Sequence, residues 1–470
     1  MNGSMHNRMV AICLLFCLIG IAPVAAETPV QNILLIVSDD LKASSLGCYG
    51  NTVCQTPNLD KLARRGMVFD NAYCQGTWCA PSRQSFMFSR YQGKQGTNLG
   101  EHFRNHQRYS ARVGKIYHMR VPGDIIDGTD GQDVASSWTE RFNSPGQEAH
   151  TPGNYACLNQ NIFTTDLEGR ESTGMPHRAF VSVAHAGNGS DQPDAKTAAK
   201  TIELLRKHQD EPFFIAAGLV RPHYPMVAPQ SFFDRYPLSD MELPLTIEND
   251  QLDIPKLGIP KSTADKNGIG QFPDNQKRMW SAYYASVTFM DQQVGRILDE
   301  LKRLGLEEKT AVVFISDHGY HLGEHDFWQK HNLHEEVTRV PMIIAAPGQR
   351  PARTDSITEL VDIYPTVAEL AGLPVPASVQ GTSLVPVLSN PASTVKRGAL
   401  SFQKGTALRE KGFAYMRYND GSEELYDMRR DPLQFRNLAA DPEYQKTRQA
   451  IRGRLDHRMN QVGLRQAKAK

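Results

Sequence analysis

Asn32-Ile-Leu-Leu-Ile-Val-Ser38, followed at once by Asp39-Asp40, is the stretch whose reading decides the fold. Its apolar residues are continuous rather than alternating. That pattern predicts a strand buried on both faces, the kind found in a mainly parallel sheet covered by helices. Ala311-Val-Val-Phe-Ile-Ser316 repeats it and ends in Asp317-His318-Gly319. Pro212-Phe-Phe-Ile-Ala-Ala-Gly218 and Val340-Pro-Met-Ile-Ile-Ala-Ala346 read as further buried strands. Between them Met279, Tyr283, Val287, Met290, Val294, Ile297, Leu301 and Leu304 recur at spacings of three and four, which predicts a long helix closed by Gly305. A shorter helix is expected to follow Thr56-Pro57, with Thr56 as its cap and Gly66 past its end. Strands alternating with helices place the chain in the α/β class, with a large, mainly parallel central sheet flanked by helices. The stretches 120–175 and 236–275 read as long loops, rich in Gly, Pro, Asp and Asn. From about residue 390 the chain is more polar and reads as a smaller C-terminal α+β subdomain, with a final amphipathic helix near Glu443–Met459.

The chain has 470 residues, 52 Lys+Arg against 51 Asp+Glu, 40% hydrophobic and 22% charged. Such a composition excludes a disordered chain, and the charge balance argues against nucleic acid as a partner. Residues 1–26 combine Arg8, an apolar run from Val10 to Ala22, and Val24-Ala25-Ala26. They read as a secretory signal peptide, too short for a comfortable membrane span, so a secreted or periplasmic protein without a stable membrane anchor is expected. Cleavage leaves 51 basic and 51 acidic residues and five cysteines: Cys48, Cys54, Cys74, Cys79 and Cys157. The odd count asks which thiol is left over. Cys48 and Cys54 are close enough in sequence to pair; the pairing of Cys74 and Cys157 stays open.

Two buried strands thus end in acidic residues, Asp39-Asp40 and Asp317-His318. In open α/β sheets ligands bind beyond the carboxyl ends of strands, and adjacent carboxylates there suit a hard divalent cation; either pair also suits a turn cap. Pro81 begins a predicted helix, so Cys79 falls at or just before its N-terminus, where an anion is favoured. Read alone, Cys79 is either an ordinary thiol nucleophile or half of a disulfide with Cys74, and the disulfide is the favoured of the two.

Cys79-Ala-Pro-Ser-Arg83 resembles the signature of the formylglycine-dependent sulfatases, in the alkaline phosphatase-like superfamily. The resemblance covers nearly the whole chain after residue 26, and lies nearest the iduronate-2-sulfatase-like branch. Ile36-Val-Ser-Asp-Asp40, Gly114-Lys-Ile-Tyr-His118, Arg221-Pro-His-Tyr-Pro225, Leu322-Gly-Glu-His325 and Gly381-Thr-Ser-Leu384 carry it in the same order. One departure is Met87-Phe88-Ser89, where the family usually has Leu-Thr-Gly. The resemblance implies a catalytic domain over 27–390, a C-terminal subdomain over 391–470, and oxidation of Cys79 to formylglycine by a maturation enzyme. It implies one divalent cation, Ca²⁺ first and Mg²⁺ second, on Asp39, Asp40, Asp317, His318 and the oxygen of residue 79. It implies that Arg83 holds the nucleophile and balances charge, that Lys115 contacts formylglycine, and that His118 takes the proton that triggers sulfate release. His223 and Lys330 would bind sulfate and protonate the leaving oxygen. The expected substrate is a sulfated carbohydrate. The rivals are a phosphodiesterase or phosphonate monoester hydrolase of the same superfamily, and a non-catalytic glycan-binding protein. His321, His325, His331 and His334 also crowd one segment; partial exposure or substrate contact is expected of them rather than a second metal.

Overall fold

The computed structural model describes residues 29–168, 170 and 177–464, together with Met1. The expected signal peptide, apart from Met1, lies outside the described residues. The strand Asn32–Asp39 is buried along its whole length and lies inside a nine-stranded sheet. It pairs in parallel with Thr310–Ser316 on one side and with Phe213–Pro222 on the other. Tyr109–Gly114 and Glu140–Phe142 extend the sheet in parallel beyond Phe213–Pro222. On the opposite flank Met342–Ala345 runs antiparallel to Thr310–Ser316 and pairs with Met67–Tyr73, which also takes Arg339–Val340 and, in parallel, Ala352–Glu359. The expected single strand Val340–Ala346 is therefore two short ones. Pro341, which has no N–H to give to a ladder, sits at the break.

Burial on both faces is visible in the side chains themselves. Leu34 and Ile36 join one apolar layer with Met279, Tyr283, Val287 and Met290. Ile33, Leu35 and Val37 join the other with Ile363, Tyr364 and Val367. At about 1.5–3 kcal/mol for each fully buried aliphatic or aromatic side chain, these two layers dominate the stability of the fold. The long helix spans Pro273–Arg303, starting six residues before the first periodic position because Pro273 suits its first turn.

The helix Pro57–Ala63 forms, but Thr56 makes no cap. Its hydroxyl instead accepts from the Gly47 N–H at 2.9 Å. Gly66 serves close approach: a Cβ there would stand 2.7 Å from the Ile344 carbonyl oxygen.

The 120–175 stretch is not a plain loop. It contributes Glu140–Phe142 to the central sheet, and Asn154–Cys157 and Ile162–Thr164 to a small four-stranded sheet with Val181–His185 and Met226–Pro229. The 236–275 stretch holds only short helical turns before the long helix begins. At the C-terminus, Gly398–Phe402, Gly405–Glu410, Phe413–Tyr418 and Glu423–Asp427 form an antiparallel meander. The helix Gln445–Gln461 covers it through Ile451, Leu455 and Met459, spaced four apart. The architecture is the expected one: α/β, a large central sheet between helices, and a smaller C-terminal sheet unit. Among the described residues no helix is long and apolar enough to cross a membrane.

Candidate active site

Register explains why the acidic residues meet. Ser38 lies opposite Ser316, so the next residues, Asp39 and Asp317, leave neighbouring parallel strands side by side. The Asp317 N–H donates to the Ser38 carbonyl at 3.3 Å. Asp40 then takes a left-handed backbone with φ 63°, its N–H donating to Asp317 Oδ1 at 3.2 Å. Tyr283 of the long helix holds this turn by donating its hydroxyl to the Asp40 carbonyl at 2.7 Å.

The other two strand ends supply cations. Gly114 lies opposite Gly218, and the Lys115 N–H donates to the Gly218 carbonyl at 2.9 Å. The approach is so close that a Cβ on Gly218 would stand 2.1 Å from the Lys115 carbonyl oxygen. Lys115 Nζ pairs with Asp39 Oδ2. The segment from Lys115 to His118 is a bend rather than a helix. The strand beginning at Phe213 runs four residues further than expected, to Pro222, which delivers His223 to the site.

Cys79 opens the helix Cys79–Phe88, with Trp78 at the capping position. Its sulfur lies 3.3 Å from Asp39 Oδ1, 3.4 Å from His318 Nε2 and 3.3 Å from Lys330 Nζ. Lys330, just past the short hairpin of His321–Leu322 and Trp328–Gln329, also donates to Asp40 Oδ1 at 2.6 Å. His223 Nε2 is 3.8 Å from Asp40 Oδ2, and His318 Nε2 is 3.3 Å from Asp40 Oδ1. Arg83, one turn along the helix, donates Nε to Asp317 Oδ2 at 2.8 Å and approaches Asp39 Oδ1 at 3.5 Å with Nη2. Its Nη1 bonds the carbonyls of Lys115 and Ile116. It therefore ties three strand ends and the helix together, and makes no hydrogen bond to Cys79. His118 stands at the rim, its ring 5.8 Å from that of Trp78, and its buried Nδ1 has no partner.

The electrostatics follow from burial and sign. Three carboxylates (Asp39, Asp40, Asp317) face three permanent cations (Arg83, Lys115, Lys330), all buried. Against the cost of burial, Lys115 and then Arg83 hold Asp39 well below the ordinary carboxylate range. For Asp40, burial prevails over Lys330 and His318, with Asp39 and Asp317 adding to it, so its carboxyl is pushed up. Burial, and then Lys330, holds His223 well below its ordinary range, so it is a neutral imidazole. Burial and then Asp39 push the Cys79 thiol up, which makes it a poor thiolate nucleophile. Burial and then Lys115 push His118 down to about 3.

A divalent cation fits these residues. Asp39, Cys79, Asp317 and His318 offer ligand atoms within 4.8 Å of one another, and so do Asp39, Asp40, Cys79 and His223. Asp40 Oδ2 is buried with no hydrogen-bond partner. An acceptor so placed is costly unless something positive takes it.

Several supporting residues escaped sequence reasoning. Glu148 accepts from Arg221 Nη2 at 2.6 Å, and Arg221 Nη1 donates to the His223 carbonyl at 3.0 Å. Asp194 accepts the N–H groups of Val220 and Arg221 at 2.7 and 3.0 Å. Glu148 lies 73 residues from Arg221 in a stretch without periodicity, and Asp194 in the first turn of the helix Pro193–Lys207; no local signal ties either to the site. Trp78 was legible only as the neighbour of Cys79. The histidine cluster differs from expectation: His321, His325 and His334 are buried. They pair with Asn332, Asp250 and Glu424 at 3.1, 2.7 and 2.9 Å. His334, through Glu424, knits the C-terminal sheet to the core, and of the four only His331 is exposed. Cys48 and Cys54 do not pair; all five described cysteines are free.

Residues 31–373 match the family described as Sulfatase, and residues 323–461 match the C-terminal family of N-sulphoglucosamine sulphohydrolase. A sulfatase of Formosa agariphila is 29% identical over 481 residues, covering 95% of this chain and 90% of that protein. The iduronate 2-sulfatase of Homo sapiens is 32% identical over 408 residues, covering 75% of this chain and 70% of the relative. Among solved structures, the phosphonate monoester hydrolase of Agrobacterium radiobacter superposes with a TM-score of 0.76 at 21% identity, covering 93% of this chain and 96% of that one. The last likeness is one of fold. With nearly three quarters of its length matched, the chain belongs to the sulfatase family, and is a sulfuric ester hydrolase.

Proposed function

We propose that the protein is an exported sulfatase that hydrolyses a sulfate ester on a sulfated sugar, through a formylglycine made from Cys79 and one divalent cation, Ca²⁺ ahead of Mg²⁺. The observation that carries this reading is the position of residue 79. It opens a helix, at the carboxyl ends of parallel strands, within 3.4 Å of Asp39, His318 and Lys330. The names of the relatives support a sulfated-sugar substrate.

Asp39, Asp40, Asp317 and His318, with the oxygen on residue 79, would hold the cation, which supplies charge for a sulfate oxygen and acidifies a hydroxyl. A hydrated aldehyde carries two hydroxyls on one carbon, so the group that captures sulfur can expel sulfate without water attacking sulfur. Arg83 fixes the carboxylates that orient residue 79. Lys115 and Lys330 bring fixed positive charge to the sulfuryl oxygens in a site that excludes water. Lys330, beside Asp40, is the donor toward the leaving oxygen; His223, whose Nδ1–H is taken up by the Tyr224 carbonyl at 2.7 Å, has no proton on Nε2 while neutral and joins as a donor only when protonated. His118, at the rim and neutral, accepts the proton released when sulfate departs. Cys79, Met87 and Phe88 are buried, so the maturation enzyme must act on the chain before it folds. Cleavage after residue 26 would release the protein to the periplasm or medium. The catalytic unit is taken as 27–390 and the C-terminal unit as 391–470.

Mass spectrometry of the tryptic peptide Gly66–Arg83 from the native host tests the reading. An aldehyde at position 79 is expected; an unmodified thiol throughout an active preparation would overturn it. The shared fold with a phosphonate monoester hydrolase favours one rival. Turnover of a sulfate ester against the matching phosphate diester separates the two, with the sulfate ester expected to be faster.

A further inference from the structure

Lys330 also lines a cavity of about 490 Å³ whose other walls the mechanism does not use. Lys261, Lys266 and Lys404 line it together with His331 and Gln403, and no carboxylate does. None of the three lysines is ion-paired among the described residues, although most buried and many exposed cations of the fold are.

The walls are built rather than incidental. They come from three separate segments: the 261–267 turn, the end of the Trp328–Gln329 strand, and the hairpin turn that opens the C-terminal sheet. Gln329, His331 and Lys404 all take left-handed backbones, with φ of 71°, 78° and 49°. Such residues persist only where surroundings hold them. Gln329 Nε2 donates to Ser262 Oγ at 2.9 Å, Gln403 Nε2 to the His331 carbonyl at 3.3 Å, and the Asn419 N–H to the Lys404 carbonyl at 2.9 Å. Trp78, 37% exposed, has its ring 6.3 Å from that of His331, which lines the cavity. Its exposed indole, next to residue 79 in the chain, presents an apolar face beside the site. In a chain of net charge +1, three unpaired lysines in one concavity are a local concentration of positive charge, not a general property of the surface.

We infer that this cavity binds a second anionic group of the substrate, a carboxylate or another sulfate, so that the preferred sugar carries at least two negative charges, one cleaved and one held by Lys261, Lys266 and Lys404. The inference rests on the sulfated-sugar reading above and narrows its substrate class. It assigns the C-terminal sheet, through Lys404, a part in substrate choice.

The test compares a neutral hexose monosulfate, the same hexose with a second sulfate, and a monosulfated uronic acid. With the native enzyme, kcat/KM for at least one doubly charged sugar should exceed that of the neutral one by about tenfold or more, each lysine lost being one charge-assisted contact. Which of the two leads identifies the anionic group. In the Lys261→Gln/Lys404→Gln variant this advantage should collapse, chiefly through KM. Equal preference in the native enzyme, or an equal loss on all three sugars, would overturn the inference. Calorimetric binding of the disulfated and the uronate sugar to Cys79→Ala protein, with and without the two lysine substitutions, reads the cavity without turnover. A lysine-dependent loss of affinity for either sugar supports the cavity even if no ester is hydrolysed, an outcome that would count against the formylglycine reading alone. No lysine dependence for either sugar would overturn the cavity whatever the turnover.

Discussion

Lys330→Met keeps the unbranched four-atom apolar stem of the side chain and removes its ammonium. In the structure that ammonium is buried, 2.6 Å from Asp40 Oδ1 and 3.3 Å from Cys79 Sγ. Taking one partner from a buried ion pair typically costs about 3–5 kcal/mol. Here the lower end is expected, because His318 Nε2 remains 3.3 Å from the same Asp40 oxygen and a bound cation would share the charge. If Lys330 donates to the leaving oxygen, catalysis falls by about 10²–10⁴-fold, or about 3–5.5 kcal/mol of barrier. The loss must depend on the leaving group. A sugar alkoxide needs the proton, whereas a nitrophenolate leaves without it. Steady-state kcat/KM for native and variant enzyme, over sulfate esters from dinitrophenyl through phenyl to a sugar, reads this directly. The plot of log kcat/KM against leaving-group pKa should be steeper for the variant, with the gap largest on the sugar. Saturating Ca²⁺ and a melting curve at each point keep the folded fraction known. A loss that is the same for every leaving group would refute the donor role and leave Lys330 as a binder of the sulfuryl oxygens.

Chelation followed by titration with Ca²⁺ should raise the unfolding midpoint, by about 2.7 kcal/mol of stability at a hundred times Kd. Asp317→Asn should abolish most of that rise, and an undiminished rise would remove Asp317 from the ligand set. Gly218→Ala should destabilise the fold by about 1–3 kcal/mol and lower activity by displacing Lys115, since the added carbon would meet the Lys115 backbone; a fully active, equally stable variant would contradict the close approach. Asp291, buried and bonded to the N–H groups of Asn58 and Leu59, is pushed up to about 6 by burial. The folded state then holds its proton more tightly than the unfolded state, so this residue's contribution to stability falls as pH rises from about 4 to about 6, by about 3 kcal/mol at most. Asp291→Asn should flatten denaturant midpoints across that window, and an unchanged slope would put its ordinary acidity back.

The apolar run from Ile33 to Val37 was enough to read a strand buried on both faces, because it is short, rich in β-branched residues and closed by Ser38-Asp39-Asp40, where a buried helix would need a longer run. The long helix was equally legible from its three-and-four spacing. Met67–Tyr73 and Tyr109–Gly114 were not, since Asp70, Asn71, Ser110 and Arg112 interrupt their apolar character, and only the folded loop that carries Asp130 and Asp133 supplies the partners that let Arg112 be buried. The histidine segment misled for the same reason. His325 and His334 look polar in sequence, yet Asp250 and Glu424 satisfy them from 75 and 90 residues away.

For the site, local chemistry in the sequence determined which groups are available: acidic residues at strand ends, a cysteine at a helix start, and basic residues in short motifs. Tertiary structure alone decided their distances. Parallel register set Asp39 beside Asp317, a glycine-to-backbone contact set Lys115 over Asp39, and Arg83 bound the strand ends to the helix. Likewise Lys261, Lys266 and Lys404 are ordinary surface lysines until the C-terminal hairpin folds against the catalytic sheet. Charge is a property of each residue, but a site is made by the separation between charges, and separations across hundreds of residues exist only once the chain has packed.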